Sequence, residues 1–205
     1  MLEFLLAFFT VLGGLTVLTA IAAGILKQFM LWRWRRKFTW DDALRTAHAL
    51  LQRINGQGWR PEIVIGLGRS GGIWGGWLAG NLGSLPFAVV DDRYTVNAGL
   101  GVDFPAGAEV LAAIRRAYPD KRRILVVEGA TSTGKTPAKF LEHFGGQLQG
   151  LEVKFAVLYK NPVSAADIAF VGKDGPEPWP DRFPWHSSDL YRPYMRDIFR
   201  PGAPR

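Results

Sequence analysis

Four short β-rich runs alternate with helical runs between residues 62 and 160, and no other feature of the chain restricts its fold as much. "EIVIGLG" closes on glycines, and "GGIWGGWLAGNLG" after it reads as a helix despite its glycines. "LPFAVVDD" is a second strand that ends in the acids Asp91 and Asp92. "AEVLAAIRRAY" is helical, with Pro119 just beyond its end. "RRILVVE" is a third strand, "GATSTGKT" a loop, and "PAKFLEHF" a helix with Pro137 in its first turn. "EVKFAVLYK" is the fourth strand. This alternation predicts an α/β domain with a parallel sheet and helices on both faces. Ligands of such sheets bind beyond the carboxyl ends of the strands, where both glycine-rich segments fall. "RYTVNAGLGVDFPAG" reads as loop. Upstream, Thr39 and Asp42 open a capping-box-like helix whose stripe is Ala43, Ala47, Leu50, Leu51 and Ile54. From Asn161 onward proline and aromatics dominate without a period, as expected of a segment that wraps the sheet or covers a site.

Ahead of this domain, residues 2–26 hold a single charge, Glu3, and are otherwise apolar or small. A run of about 20 such residues spans a bilayer as a helix. Lys27, Arg33, Arg35, Arg36 and Lys37 follow it, interleaved with Trp32 and Trp34. By the positive-inside rule the N-terminus faces out and the domain is cytoplasmic. The expected organisation is a transmembrane helix over 1–27, a basic juxtamembrane segment against membrane lipid over 28–38, the domain over 39–200 and a tail over 201–205. The other reading of 2–26 is a buried core helix. Thr16, Ala20 and Gly24 form a small-residue stripe of the kind that lets membrane helices approach closely.

Those five basic residues carry most of the net charge of +7, because the other 20 nearly balance 18 acids. A nucleic-acid footprint would need basic residues across a folded face, so none is expected. The absence of cysteine excludes disulfides, thiolate metal sites and cysteine nucleophiles. His48, His143 and His186 show no metal-ligand spacing, so no protein-held metal is expected.

"VVEGATSTGKT", Val126 to Thr136, carries two patterns. From Gly129 it spells G-x-x-x-x-G-K-T, a P-loop. From Val126 it spells two apolar residues, an acid and a later T-G-x-T, a ribose-phosphate loop. Either makes an anion site from backbone amides and a helix N-terminus, with hydroxyls from Thr131, Ser132, Thr133 and Thr136. A P-loop is usually built with a second strand ending in a magnesium-binding Asp. Here the one such strand, "FAVVDD", lies upstream, and no arginine finger can be assigned. In "GLGRSGG", Gly66 to Gly72, glycines turn amides toward an anion and Arg69 offers a bidentate fork. The plain alternative is a tight strand-to-helix turn.

Taken in order, these segments resemble the type I phosphoribosyltransferases over residues 40 to about 190. "VIGLGRSGGIWGGWLA" is similar to that family's pyrophosphate loop and following helix, and "ILVVEGATSTGKT" to its signature loop for phosphoribosyl pyrophosphate. "FAVVDDRY" falls where the family enters its flexible catalytic loop. "FAVLYKNP" and "PWPDRFPW" resemble the strand-to-hood junction and C-terminal hood of the purine, xanthine-guanine-type members. The resemblance implies a Rossmann-like parallel sheet with a C-terminal hood, and specific roles. Thr131, Ser132, Thr133, Gly134, Lys135 and Thr136 would hold the 5′-phosphate. Glu128 would bond the ribose hydroxyls. Gly68, Ser70 and Gly71, with Arg69, would hold pyrophosphate. Tyr94 would sit on the closing loop. Lys160 would face the exocyclic oxygen of a base, with Trp179 or Phe170 stacked on its ring. Mg2+ would arrive on the substrate's own oxygens. The family is commonly dimeric, which implies a homodimer.

The chain departs from the family at three places. Gly129 follows Glu128 where two adjacent acids are usual, and a charged hydrogen bond to substrate is worth about 1.5–3 kcal/mol. Ser132 stands where purine-type members carry an acid that meets the base. Arg93 stands where they tend to have a small hydroxyl residue. The expected function is that of a membrane-anchored phosphoribosyltransferase-like protein. It would bind phosphoribosyl pyrophosphate or a nucleotide and transfer or release the ribose-phosphate. The alternatives are a catalytically degenerate ribose-phosphate sensor, such as a defence-system effector, and a P-loop nucleotidase. Asp91 and Asp92 either cap a strand or serve the site, and Trp179 and Trp185 either pack the hood or platform a base.

Overall fold

The computed structural model describes residues 19–29, 39–95, 101–175, 183 and 185. Residues 19–29 belong to a helix, α1, exposed along its whole described length, with Ile21, Ile25, Leu26 and Phe29 open to solvent. Among the described residues no helix is long and apolar enough to cross a membrane. Residues 1–18 and 30–38, the rest of the expected span and its basic flank, lie outside the described residues.

The domain then runs α2 (Trp40–Gly56), β1 (Ile63–Leu67), α3 (Gly68–Asn81), β2 (Phe87–Val90), β3 (Arg93–Thr95), β4 (Gly101–Asp103), α4 (Gly107–Ala117), β5 (Arg123–Thr131), α5 (Lys135–Phe144), β6 (Glu152–Lys160) and β7 (Phe170–Asp174). Five strands form one parallel sheet in the order β2-β1-β5-β6-β7. The chain starts at β1, steps outward to β2, then returns past β1 to β5. Strand order therefore reverses between β1 and β5, which opens a crevice at their carboxyl ends. All five positions of β1 are buried, as a strand covered on both faces requires. One core packs α2 and α3 on the sheet, with Trp74, Leu78, Phe183 and Trp185. The other packs α4 and α5, with Phe104, Leu111, Phe140 and Phe144.

Thr39 caps α2 as expected, its Oγ1 accepting from the Asp42 amide at 3.1 Å. The Asp42 carboxylate serves tertiary packing instead of a capping box. It accepts from the Tyr159 hydroxyl at 2.7 Å and lies 3.4 Å from Lys173 Nζ. Thr46 Oγ1 is 3.3 Å from the same hydroxyl. Burial holds the Tyr159 phenol well above its ordinary pKa, so it stays a donor. Tyr159→Phe should leave Asp42 short of a donor and lower unfolding stability by about 1–2 kcal/mol, read from urea unfolding, with unchanged far-UV circular dichroism.

Two expectations need correction here. The stretch read as loop contains an antiparallel hairpin, β3 with β4, pairing Arg93 with Asp103, Tyr94 with Val102 and Thr95 with Gly101. The region after Asn161 holds a strand, β7, which pairs with β6 and completes the sheet.

Candidate functional site at the carboxyl ends of the strands

The crevice is lined by two helix N-termini. α3 begins directly at Gly68, so "GLGRSGG" is not a free loop: Gly66 and Leu67 end β1, and Gly68 to Gly72 are the first turns of α3. α5 begins at Lys135 behind Gly134, whose φ of +79° places it in the left-handed region that glycine tolerates. Neither N-cap residue, Leu67 or Gly134, supplies a side-chain hydrogen bond to its helix. In the first turn of α5 the Lys135 amide donates to Thr133 Oγ1 at 3.4 Å and Pro137 has no amide, so the first turn of α3 presents the amides that an outside acceptor would meet.

The signature segment is shorter as a loop than its sequence suggests. β5 continues through Gly129, Ala130 and Thr131, pairing Ala130 with Tyr159 and Thr131 with Lys160. The Thr131 carbonyl accepts from the Asn161 amide at 2.9 Å. Only Ser132, Thr133 and Gly134 form the turn. Three of the eight residues of the G-x-x-x-x-G-K-T pattern are thus strand, and its backbone does not wrap an anion as a P-loop does. Ser132, Thr133 and Lys135 are exposed at the turn, while Thr131 and Thr136 are buried beneath it.

Glu128 is the buried acid of the crevice, 6% exposed. Burial, and then the charge of Asp92, push its carboxyl up to about 8, against a hydrogen bond from Thr136. Its Oε2 has no hydrogen-bond partner. Asp92, at the end of β2, is itself raised by burial and by Asp91, and opposed by its own amide and Arg69. Among the described residues no three His, Asp or Glu side chains converge as a metal cage.

Gly129 is closed, not merely small. Its amide donates to Ser70 Oγ at 3.3 Å. A Cβ there would stand 2.5 Å from Ser70 Cβ and 2.9 Å from Trp185 Cζ2. Trp185 packs as hood, parallel to Phe183 with ring centroids 4.9 Å apart.

The structure thus gathers Gly68, Arg69, Ser70, Gly71, Glu128, Thr131 to Thr136 and Lys160 at one sheet edge. Gly71 is buried against β5, Arg69 is exposed, and Lys160 ends β6 beside Thr131. Tyr94 is on the hairpin β3–β4. Trp179 lies outside the described residues. Phe170 is not at this edge: it opens β7 at the opposite end, packed on Trp59 at 5.7 Å, and is core. Asp92, which sequence left open between a strand cap and a site role, lies against Gly68 at the same edge.

Solved structures share this fold. A purine phosphoribosyltransferase from Pyrococcus horikoshii Ot3 superposes with a TM-score of 0.57 at 24% identity, over 73% of this chain and 91% of that one. A xanthine-guanine-hypoxanthine phosphoribosyltransferase from Helicobacter pylori gives 0.61 at 17% identity, over 77% and 97%. The fold is that of the type I phosphoribosyltransferases. A hypothetical protein from Neisseria gonorrhoeae, solved with bound ppGpp, has the same fold, with a TM-score of 0.62 at 24% identity over 77% and 92%. No protein-family model and no curated protein matches the chain.

Proposed function

We propose that this domain binds a 5-phosphoribosyl ligand, phosphoribosyl pyrophosphate or a nucleotide, and transfers or releases its ribose-phosphate. What carries the reading is the meeting of two helix N-termini around one buried acid, Glu128, at the point where strand order reverses. The turn Ser132–Gly134, with the start of α5, would hold the 5′-phosphate. The first turn of α3, with Arg69, would hold pyrophosphate as it leaves C1 of the ribose. Positive charge then develops on the sugar ring and negative charge on the leaving group, and fixed donors at the latter stabilise the transition state. Mg2+ carried on the substrate's oxygens would neutralise further charge. The hairpin bearing Tyr94 would close over the reaction and exclude water. Lys160 would meet the exocyclic oxygen of a base and Trp179 its ring. The N-terminal apolar run and its basic flank support a membrane anchor with the domain on the cytoplasmic side, and the family's habit suggests a homodimer.

A second reading, a sensor without turnover, is favoured by one observation: Ser70 and Trp185 fill the space beside Gly129 that a second acid would need. The Neisseria gonorrhoeae neighbour with its bound ppGpp makes phosphorylated nucleotides sensible ligands to include. Calorimetric titration of the full chain in mild detergent, with phosphoribosyl pyrophosphate plus Mg2+ and with ATP alongside, tests both. Binding of the ribose compound, weakened about tenfold or more in Arg69→Ala and in Thr133→Ala, is the expected result. Binding of ATP alone, dependent on Lys135, would remove the ribose-phosphate reading. Product formation across a panel of purine bases then separates enzyme from sensor.

A further inference from the structure

Asp92, just past β2, and Glu128, on β5, flank the end of β1, which lies between those two strands. Neighbouring strands are spaced by about 4.8 Å, so any side chain at the end of β1 would separate the two acids. Position 68 carries none. Gly68 has a φ of +57°, and a Cβ there would collide with the Asp92 carboxylate. The Asp92 side chain therefore lies over the end of β1, on the way to β5, and its charge reaches Glu128. Glu128 Oε2 is buried and without a hydrogen-bond partner. Such an atom is costly unless a ligand completes its bonding. An acid at position 129 cannot do so, because Ser70 and Trp185 occupy that space.

We propose that Asp92 supplies the second carboxylate of the ribose site, facing Glu128 across Gly68, and that the pair accepts hydrogen bonds from the vicinal hydroxyls of a ribose 5-phosphate unit. The assignment rests on the ribose-phosphate reading above. Each acid offers an oxygen to one hydroxyl, so a vicinal diol engages both acids and a 2-deoxy sugar only one. The site would therefore select ribo- over 2-deoxyribo-ligands.

The test titrates the full chain and Asp92→Asn with ribose 5-phosphate, 2-deoxyribose 5-phosphate, inorganic phosphate and Mg2+ alone. Asn keeps the shape of Asp, so Gly68 and its surroundings are undisturbed. The expected result is a loss of about 10- to 100-fold in ribose 5-phosphate affinity, collapse of the ribo preference and unchanged phosphate affinity. Unchanged ribose affinity in Asp92→Asn overturns the assignment and leaves the ribose-phosphate reading standing. An equal loss for inorganic phosphate overturns it too, because Asp92 would then be structural. So does Mg2+ binding that needs Asp92 in the absence of sugar. A wild-type chain that binds neither sugar phosphate overturns both readings.

Discussion

Gly129→Asp, the change that would restore the family's pair of adjacent acids, should unfold the domain rather than activate it. A Cβ at 129 would lie 2.5 Å from Ser70 Cβ, 2.9 Å from Ser70 Oγ and 2.9 Å from Trp185 Cζ2, and a carboxylate must reach further. Neither neighbour is a yielding chain end. Ser70 sits in the first turn of α3. Trp185 lies parallel to Phe183, which stacks on Tyr159 at 5.3 Å. Overpacking of this kind costs about 1–3 kcal/mol, and an unpaired buried carboxylate adds a comparable amount. The combined loss, about 3–5 kcal/mol, is a large part of the stability of a domain this size. Urea unfolding checks it. Gly129→Ala should show the steric part alone, and adding Ser70→Gly should recover some of it, since the two residues touch. A Gly129→Asp protein as stable as the wild type would mean that Trp185 leaves the site readily.

The sheet and its helices were legible because β1, β5 and β6 are apolar runs bounded by turn residues, and because α2 and α5 show one apolar face. What stayed hidden has local causes. β3 and β4 are three residues each and set among glycines, too short to show a period. β7 is a five-residue edge strand whose pattern ends in charges, and only its pairing with β6 identifies it. "GLGRSGG" stayed open between an anion site and a strand-to-helix turn because composition does not tell a glycine needed for a turn from one needed for packing. Gly66 and Gly71 bring α3 flush onto the strands, and Gly68 makes way for Asp92. Residues adjacent in the chain, Glu128 to Thr136, could be read as one site. The approach of Asp92 to Glu128, and of Trp185 to Gly129, depends on strand order and on a hood packed from far along the chain. No spacing encodes either.

Glu128→Gln should spare the domain a loss of stability that the wild type suffers as the pH rises, and cost it ligand. Burial first, and Asp92 second, raise the Glu128 carboxyl from 4.5 to about 8. Below about pH 4.5 the group is protonated in the folded and the unfolded chain, and stability does not depend on it. Between that pH and about 8 the unfolded chain releases the proton while the folded chain keeps it. Unfolding is then increasingly favoured, so wild-type stability falls across this window and levels off above it. At about 1.4 kcal/mol per unit, the loss is roughly 3 kcal/mol by pH 7 and nearer 5 kcal/mol at the top of the window. Gln fills the same space and cannot ionise, so its contribution is flat. Urea midpoints of the two proteins should nearly coincide near pH 4.5 and diverge toward pH 8 in favour of the variant, by about 2–4 kcal/mol once the buried amide's own desolvation is counted. The variant should at the same time bind ribose 5-phosphate about tenfold more weakly or worse, since an amide offers the ribose hydroxyls one accepting oxygen and cannot ionise on binding as the acid can. Stability held in reserve at a binding residue is the usual sign that its environment serves the ligand rather than the fold. If the two unfolding curves run parallel from pH 4.5 to 8, Glu128 is ionised in the folded protein. The crevice is then wetter than its packing implies, and the ribose hydroxyls would meet two full charges instead of a carboxyl and a carboxylate.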